Sequence, residues 1–299
     1  MKNLEDYTKA IELNPQNAEA YYNRALAKGK LEDYQGAIQD FNKAIELNPQ
    51  YAVAYCKRGA MKGFLEDYKG VIQDCTKAIE LNPQYEVAYY GRGVAKYSLK
   101  DYQGALQDYN KTIELNPQNT KAYENRGNLK SLLEDYKGAI QDYTKTIELN
   151  PQYPEAYYNR GIAKNDLRDY RGAIQDFTKA IELNPQYAKA YYNRGNAKGT
   201  LEDYLGEIQD YTKAIELNPQ YAEAYYNRGA AKGKLEDYQG AIQDFSKAIA
   251  LNPQSAGAYN NRGIAKFFLG DKNGACIDWS KAVELGDDSA YALIKEYCD

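Results

Sequence analysis

Two side-chain types recur where they could do chemistry. Asparagine stands at Asn23, Asn125, Asn159, Asn193, Asn227 and Asn261, separated by multiples of 34 residues, with Lys57 and Gly91 interrupting the series. Tyrosine fills the preceding position at Tyr22, Tyr90, Tyr158, Tyr192 and Tyr226, with Cys56, Glu124 and Asn260 as exceptions. A carboxamide offers a donor and an acceptor together, so a row of them can clasp peptide bonds without reading side chains. Tyrosine adds broad contact area at low rotamer cost and keeps a polar tip. These columns suggest non-covalent recognition of polypeptide. Each also has a structural reading, in which the asparagines serve the fold and the rings stack on one another.

Covalent chemistry has little support. The chain contains no histidine, which removes the commonest general base near neutral pH and the commonest zinc ligand. It shows no phosphate-cradling glycine loop and no cysteine set beside a base. Aspartates and glutamates recur in columns and form no unique pair. No catalytic residue, metal site or cofactor is assigned. Charged residues make up 27% of the chain with both signs interspersed, for a net charge of −4. Without a basic excess or stripe, nucleic acid is not an expected partner. No stretch approaches the roughly 20 apolar residues of a membrane span, and the first residues lack the apolar run of a signal peptide. A cytoplasmic protein is expected. Cys56, Cys75, Cys276 and Cys298 show no CxxC spacing and are expected as reduced, partly buried thiols. Cys75 takes the place of an aromatic residue, Cys276 that of a leucine or isoleucine.

The columns must be held by the period itself. Asn-Pro-Gln marks it, with prolines at Pro15, Pro49, Pro83, Pro117, Pro151, Pro185, Pro219 and Pro253. A unit this short cannot bury a core alone and must stack on its neighbours. Residues 1–17 read as a half unit, 18–289 as eight full units, and 290–299 as a tail that begins a ninth. Within 18–51, Tyr21, Ala25 and Ala27 give one helical face, and Ala37, Ile38, Phe41, Ala44, Ile45 and Leu47 give a second. Asp33 is placed to cap the second helix. Pro49 cannot continue it and pushes Asn48 out of the helical region. Helices are predicted near 18–31 and 34–47, folded into an antiparallel hairpin.

The pattern of Tyr21, Ala25, Tyr34, Ala37, Phe41, Ala44 and Pro49 resembles the tetratricopeptide repeat, over essentially the whole chain. The resemblance implies an all-α solenoid of stacked antiparallel helix pairs forming a right-handed superhelix. In it the first helix of each pair would line a concave groove. It further implies a non-catalytic interaction scaffold whose groove takes an extended peptide or a partner helix, with the Tyr22 and Asn23 columns on the groove wall. A clamp for a terminal carboxylate is not expected, because Tyr22 and Tyr158 stand where its lysines would be. The Leu26 column reads Leu, Ala, Val, Asn, Ile, Asn, Ala, Ile. That variation suits either ligand tuning or relaxed constraint.

Other columns depart from the family. Arg24 and its equivalents replace a usual leucine, and Lys28 and its equivalents a common aromatic. A buried arginine needs a partner. The Asp40 column is the candidate, tying the first helix to its own second helix or to the preceding one, with Asp6 open to Arg24. Charges solvated at the helix edge are the alternative. Gly59 and its equivalents are expected opposite the Ala37 column. Glu207 interrupts the Ala37 column, and a looser repeat or a glutamate reaching solvent are the two expectations there. At the ends, Leu4, Tyr7 and Ile11 lack a covering first helix, whereas Leu293, Ile294 and Tyr297 make a short amphipathic segment that reads as a cap. Alternatively, one chain's tail completes the next chain's half unit, a heterologous contact that builds a homo-oligomeric ring or filament.

Overall fold

The computed structural model describes residues 4–298. Met1 to Asn3 and Asp299, which the sequence assigns to the half unit and the tail, lie outside the described residues. Among the described residues there are eighteen α-helices and no strand. They fall into two compact units divided between Leu149 and Asn150. The first holds α1 (Leu4–Leu13), α2 (Ala18–Lys30), α3 (Tyr34–Leu47), α4 (Ala52–Phe64), α5 (Tyr68–Leu81), α6 (Glu86–Ser98), α7 (Tyr102–Leu115), α8 (Thr120–Leu132) and α9 (Tyr136–Leu149). The second holds α10 (Pro154–Asp166), α11 (Tyr170–Leu183), α12 (Ala188–Thr200), α13 (Tyr204–Leu217), α14 (Ala222–Lys234), α15 (Tyr238–Leu251), α16 (Ala256–Phe268), α17 (Lys272–Glu284) and α18 (Ser289–Tyr297). Within each unit an even-numbered helix folds back on the odd-numbered helix that follows, and successive pairs stack.

Local chemistry sets the helix ends. Asp33 caps α3 by accepting from the Gly36 amide at 2.9 Å, and the same aspartate recurs down to Asp271 on Gly274. Glycine is needed there because a Cβ at Gly36 would fall on the capping carboxylate. The residue before each cap turns the chain left-handed, as at Glu32 with φ 62° and at Glu236 with φ 63°. Glycine takes that turn at Gly270 with φ 86°, after α16, and at Gly286 with φ 95°, after α17. At the far end of α3, Asn48 leaves the helix at φ −137° and ψ 88°. Its side chain accepts from the Gln50 amide at 3.1 Å, an Asx turn that Pro49 makes irreversible by barring further helix. The repeated Asn-Pro-Gln is this turn.

The core is a column of rings. Phe41, Tyr109, Tyr143, Phe177, Tyr211, Phe245 and Trp279 are almost wholly buried on the second helices. Glycines of the first helices make room for them: a Cβ at Gly93 would stand 2.9 Å from Tyr109 Cε1, and one at Gly161 2.7 Å from Phe177 Cε1. The glycine column therefore chiefly faces the rings. The sequence placed it opposite Ala37, a step away on the same helix.

Charge is buried in a regular ladder. Arg24 Nε and Nη2 reach Asp40 at 2.9 and 2.8 Å, and all eight arginines of the column repeat the fork, with Nη2–Oδ1 between 2.5 and 2.8 Å. The sequence did not foresee the lysines' share. Lys28 Nζ lies 2.8 Å from Asp40 Oδ2, and its equivalents lie 2.7–2.9 Å from theirs. Each guanidinium also sits over a tyrosine of its own helix, 5.6 Å from the ring centre for Arg24 over Tyr21. The third nitrogen crosses to the preceding pair: Arg58 Nη1 meets Asn42 at 2.7 Å, and Arg194 Nη1 meets Thr178 at 3.0 Å. Two cations flank each nearly buried aspartate, which answers the cost of burying it.

Two expectations fail. Glu207 neither reaches solvent nor loosens its pair; it is 8% exposed, with its carboxyl filling the space that glycine leaves at Gly199. Cys276 and Cys298 are joined in a disulfide, while Cys56 and Cys75 are buried free thiols. A spacing of 22 residues gives no sign of that bond in the sequence. It arises because α18 folds back across α17.

Candidate peptide-binding face

The tyrosine and asparagine columns lie half-buried on the first helices, and the structure joins them in an unexpected way. Asn125 Nδ2 donates to the Tyr90 hydroxyl, Asn193 to Tyr158, Asn227 to Tyr192 and Asn261 to Tyr226, each at 3.0 Å. Every one of these bonds links one pair to the next within a unit. The two columns are therefore one column of Tyr–Asn couples. In each, the phenol keeps its own proton to donate and the carboxamide keeps Oδ1 to accept. Burial raises the pKa of Tyr90 and Tyr158, so both phenols stay neutral donors at physiological pH.

The rings are also structural. Tyr22 stands 5.7 Å from Phe41 and 5.0 Å from Tyr51. Tyr158 and Tyr192 make the same two contacts in their repeats. Lys57 stands in the asparagine column of the pair after Tyr22, so no Tyr–Asn couple forms there. Asn23 and Asn159 occupy the same half-buried position on α2 and α10. The structural reading of these columns holds: the rings and carboxamides brace the fold, pair to pair, within each unit.

The Leu26 column has an internal explanation at two positions. Asn128 accepts from the Tyr143 hydroxyl at 2.8 Å, and Asn196 from Tyr211 at 2.6 Å. Where the buried ring is phenylalanine or tryptophan, the facing residue is Leu26, Ile162, Ala230 or Ile264. An asparagine there satisfies a buried phenol. Tyr109 is the exception, with Val94 in the facing column, so the two columns do not covary strictly and the pairing shows only in the structure.

The terminal candidates are placed differently. Ile11 is buried, and Leu4 and Tyr7 are half-buried on α1, which packs against α2. Leu293, Ile294 and Tyr297 pack onto the cluster of Ala275, Trp279 and Ala282. Tyr297 stands 4.5 Å from Phe267, ring centre to ring centre. Asn260 adds bonds to Asp287 at 2.9 Å and Ser289 at 3.0 Å. Leu293, Ile294 and Tyr297 are thus partly buried within their own chain, whereas Tyr291 stays 64% exposed.

No group of three or more Cys, Asp or Glu that could hold a metal ion occurs among the described residues. No helix there is long and apolar enough to cross a membrane.

Comparison with known proteins agrees with this architecture. A family model described as tetratricopeptide repeat matches residues 18–51, 87–119, 154–187 and 222–255. A second of the same description matches 188–221, and one described as TPR repeat matches 132–167. Among solved structures, a MamA protein is 29% identical with a TM-score of 0.54, over 57% of this chain and 94% of its own. YrrB, described as a TPR protein with an unusual peptide-binding site, is 25% identical with a TM-score of 0.57, over 63% of this chain and 97% of its own. A MamA from Desulfovibrio magneticus RS-1 is 25% identical with a TM-score of 0.53, over 56% and 94% of the two chains. No curated protein sequence matches.

Proposed function

The chain belongs to the tetratricopeptide repeat family, and from that premise we propose that this interaction scaffold holds an extended peptide along the first helices within a unit. The observation that carries the reading is the repeated Tyr–Asn couple, at Tyr90–Asn125, Tyr158–Asn193, Tyr192–Asn227 and Tyr226–Asn261. Each couple offers one donor and one acceptor, the complement of a peptide unit. Neighbouring helices pack about 8–10 Å apart, close to three extended residues at about 3.3 Å each. One couple would serve every third residue of the ligand. The peptide-binding site described for YrrB supports the reading by likeness.

The test is fluorescence anisotropy with a labelled peptide selected from a displayed random library. Replacing Asn193 and Asn227 together by alanine removes two acceptors, at about 0.5–1.5 kcal/mol each. Binding should weaken roughly tenfold while the helical circular dichroism is unchanged. Equal binding by the double variant would overturn the reading. End-to-end assembly is less well supported, because Leu293, Ile294 and Tyr297 already pack in part against Ala275, Trp279 and Ala282 of α17.

A further inference from the structure

One stretch of this face departs from the pattern at three columns together. In five repeats the Tyr22-column ring lies over the buried ring of the second helix, with centres 5.6–6.2 Å apart. In the second repeat both rings are missing, replaced by Cys56 and Cys75. Beside them Gly91 stands in the asparagine column, where a Cβ would come 3.4 Å from Cys75 Sγ. The result is a cavity of about 530 Å³ between α4 and α6, floored by α5. The same location between α14 and α16 encloses about 360 Å³ and includes Lys234. That between α12 and α14 also encloses about 360 Å³ and is lined by Glu207, Lys234 and two asparagines.

The cavity wall carries no charged residue. Its hydrogen-bonding groups are few: the Tyr90 hydroxyl accepts from Asn125, the Ser98 hydroxyl donates to the Val94 carbonyl, and Tyr68 adds a phenol. The two thiols share a hydrogen bond that pushes the Cys75 pKa up, together with burial, and the Cys56 pKa down. Val71, Val94 and Ala95 supply much of the rest, and the rim is apolar as well, with Phe64 62% and Val87 39% exposed. An empty apolar space of about 150 Å³ is already enough to take benzene. What the repeat lacks here is a pair of aromatic rings.

Resting on the peptide-binding reading above, we infer that the space between α4 and α6 is an anchor pocket for one aromatic side chain of the bound peptide, phenylalanine or tryptophan in class. The anchor replaces the rings missing at positions 56 and 75, and Gly91 opens the way in. Such a pocket adds selectivity to a face that otherwise addresses only backbone. Large rings buried in a desolvated pocket are also where binding energy concentrates.

The experiment selects a displayed library of random 12-residue peptides (about three residues for each of four repeats) on the full chain. Binding of the best peptide is then measured to the wild type and to Cys75→Phe. Phenylalanine is what Phe41, Phe177 and Phe245 supply at this position, so the variant should fold and melt no lower. Cys56→Tyr, restoring the other ring, serves as a second filled pocket. The expected result is a shared Phe or Trp in the selected peptides. Its replacement by alanine, or either filled variant, should weaken binding at least tenfold. Peptides without a common aromatic residue, bound equally by the filled variants, would overturn the anchor and leave backbone binding standing. Failure to select any peptide would overturn both. Dimerisation of the wild type that Cys75→Phe abolishes would put a second copy in the pocket and overturn the peptide anchor.

Discussion

Glu207 is the residue most at odds with its surroundings. Its Oε2 is buried without a partner, and its Oε1 lies 3.0 Å from the Tyr211 hydroxyl, which also stands 2.6 Å from Asn196. Burial raises the Glu207 pKa above the ordinary carboxylate value, so the folded chain holds that proton to higher pH than the unfolded chain. The associated stability is full below the unfolded pKa and is lost as pH rises through the folded one. Glu207→Ala restores the residue of its column. It should raise stability by about 1–3 kcal/mol at neutral pH and by less near pH 4, read from thermal melts across that range. The arginine ladder predicts the opposite sign. Hydrogen bonding to Asp108 holds Arg92 above the usual arginine pKa, and Arg92→Leu leaves a buried carboxylate with Lys96 alone. The loss should be about 3 kcal/mol by chemical denaturation, the low end for a broken buried pair. Arg92→Lys should recover little, because an ammonium cannot reproduce the fork.

At the scale of elements, the hairpin turn carries testable strain. Seven turns put a charged, non-glycine residue in the left-handed region, where a side chain costs about 1–2 kcal/mol. Glu236→Gly should gain up to about 1 kcal/mol of stability in a thermal melt, the entropy of glycine taking back part of the relief. Asp169→Ala removes the N-cap of α11 and should cost about 1 kcal/mol. These elements were legible in the sequence because their causes are local. Asp33, Pro49 and the apolar spacing set α2 and α3 within a residue of the expected limits. The Arg–Asp pairing was legible because an arginine among apolar neighbours demands a carboxylate. The rest needed three dimensions. Lys28 joins Asp40 from another helix, Asn128 answers Tyr143 across a hairpin, and Cys298 finds Cys276 only once α18 has folded back. The Tyr–Asn couples were missed for the same reason, since Tyr90 and Asn125 belong to different repeats.

At the scale of the whole chain, the side-chain contacts obey a fixed arithmetic. Each arginine meets its aspartate 16 residues on, and each coupled tyrosine its asparagine 35 residues on. Stability in such an array sums over units and their neighbour contacts. Removing residues 188–221 should therefore leave a chain that folds and melts cooperatively at a somewhat lower temperature, as circular dichroism would show. Tyr158 would then meet Asn227, and Arg228 would meet Thr178, through bonds of the kind they make now. Length is thus a heritable dial. An unequal crossover that drops or adds 34 residues within a unit disturbs no bonding rule, and a lineage can shorten or extend its reach without inventing a single new contact.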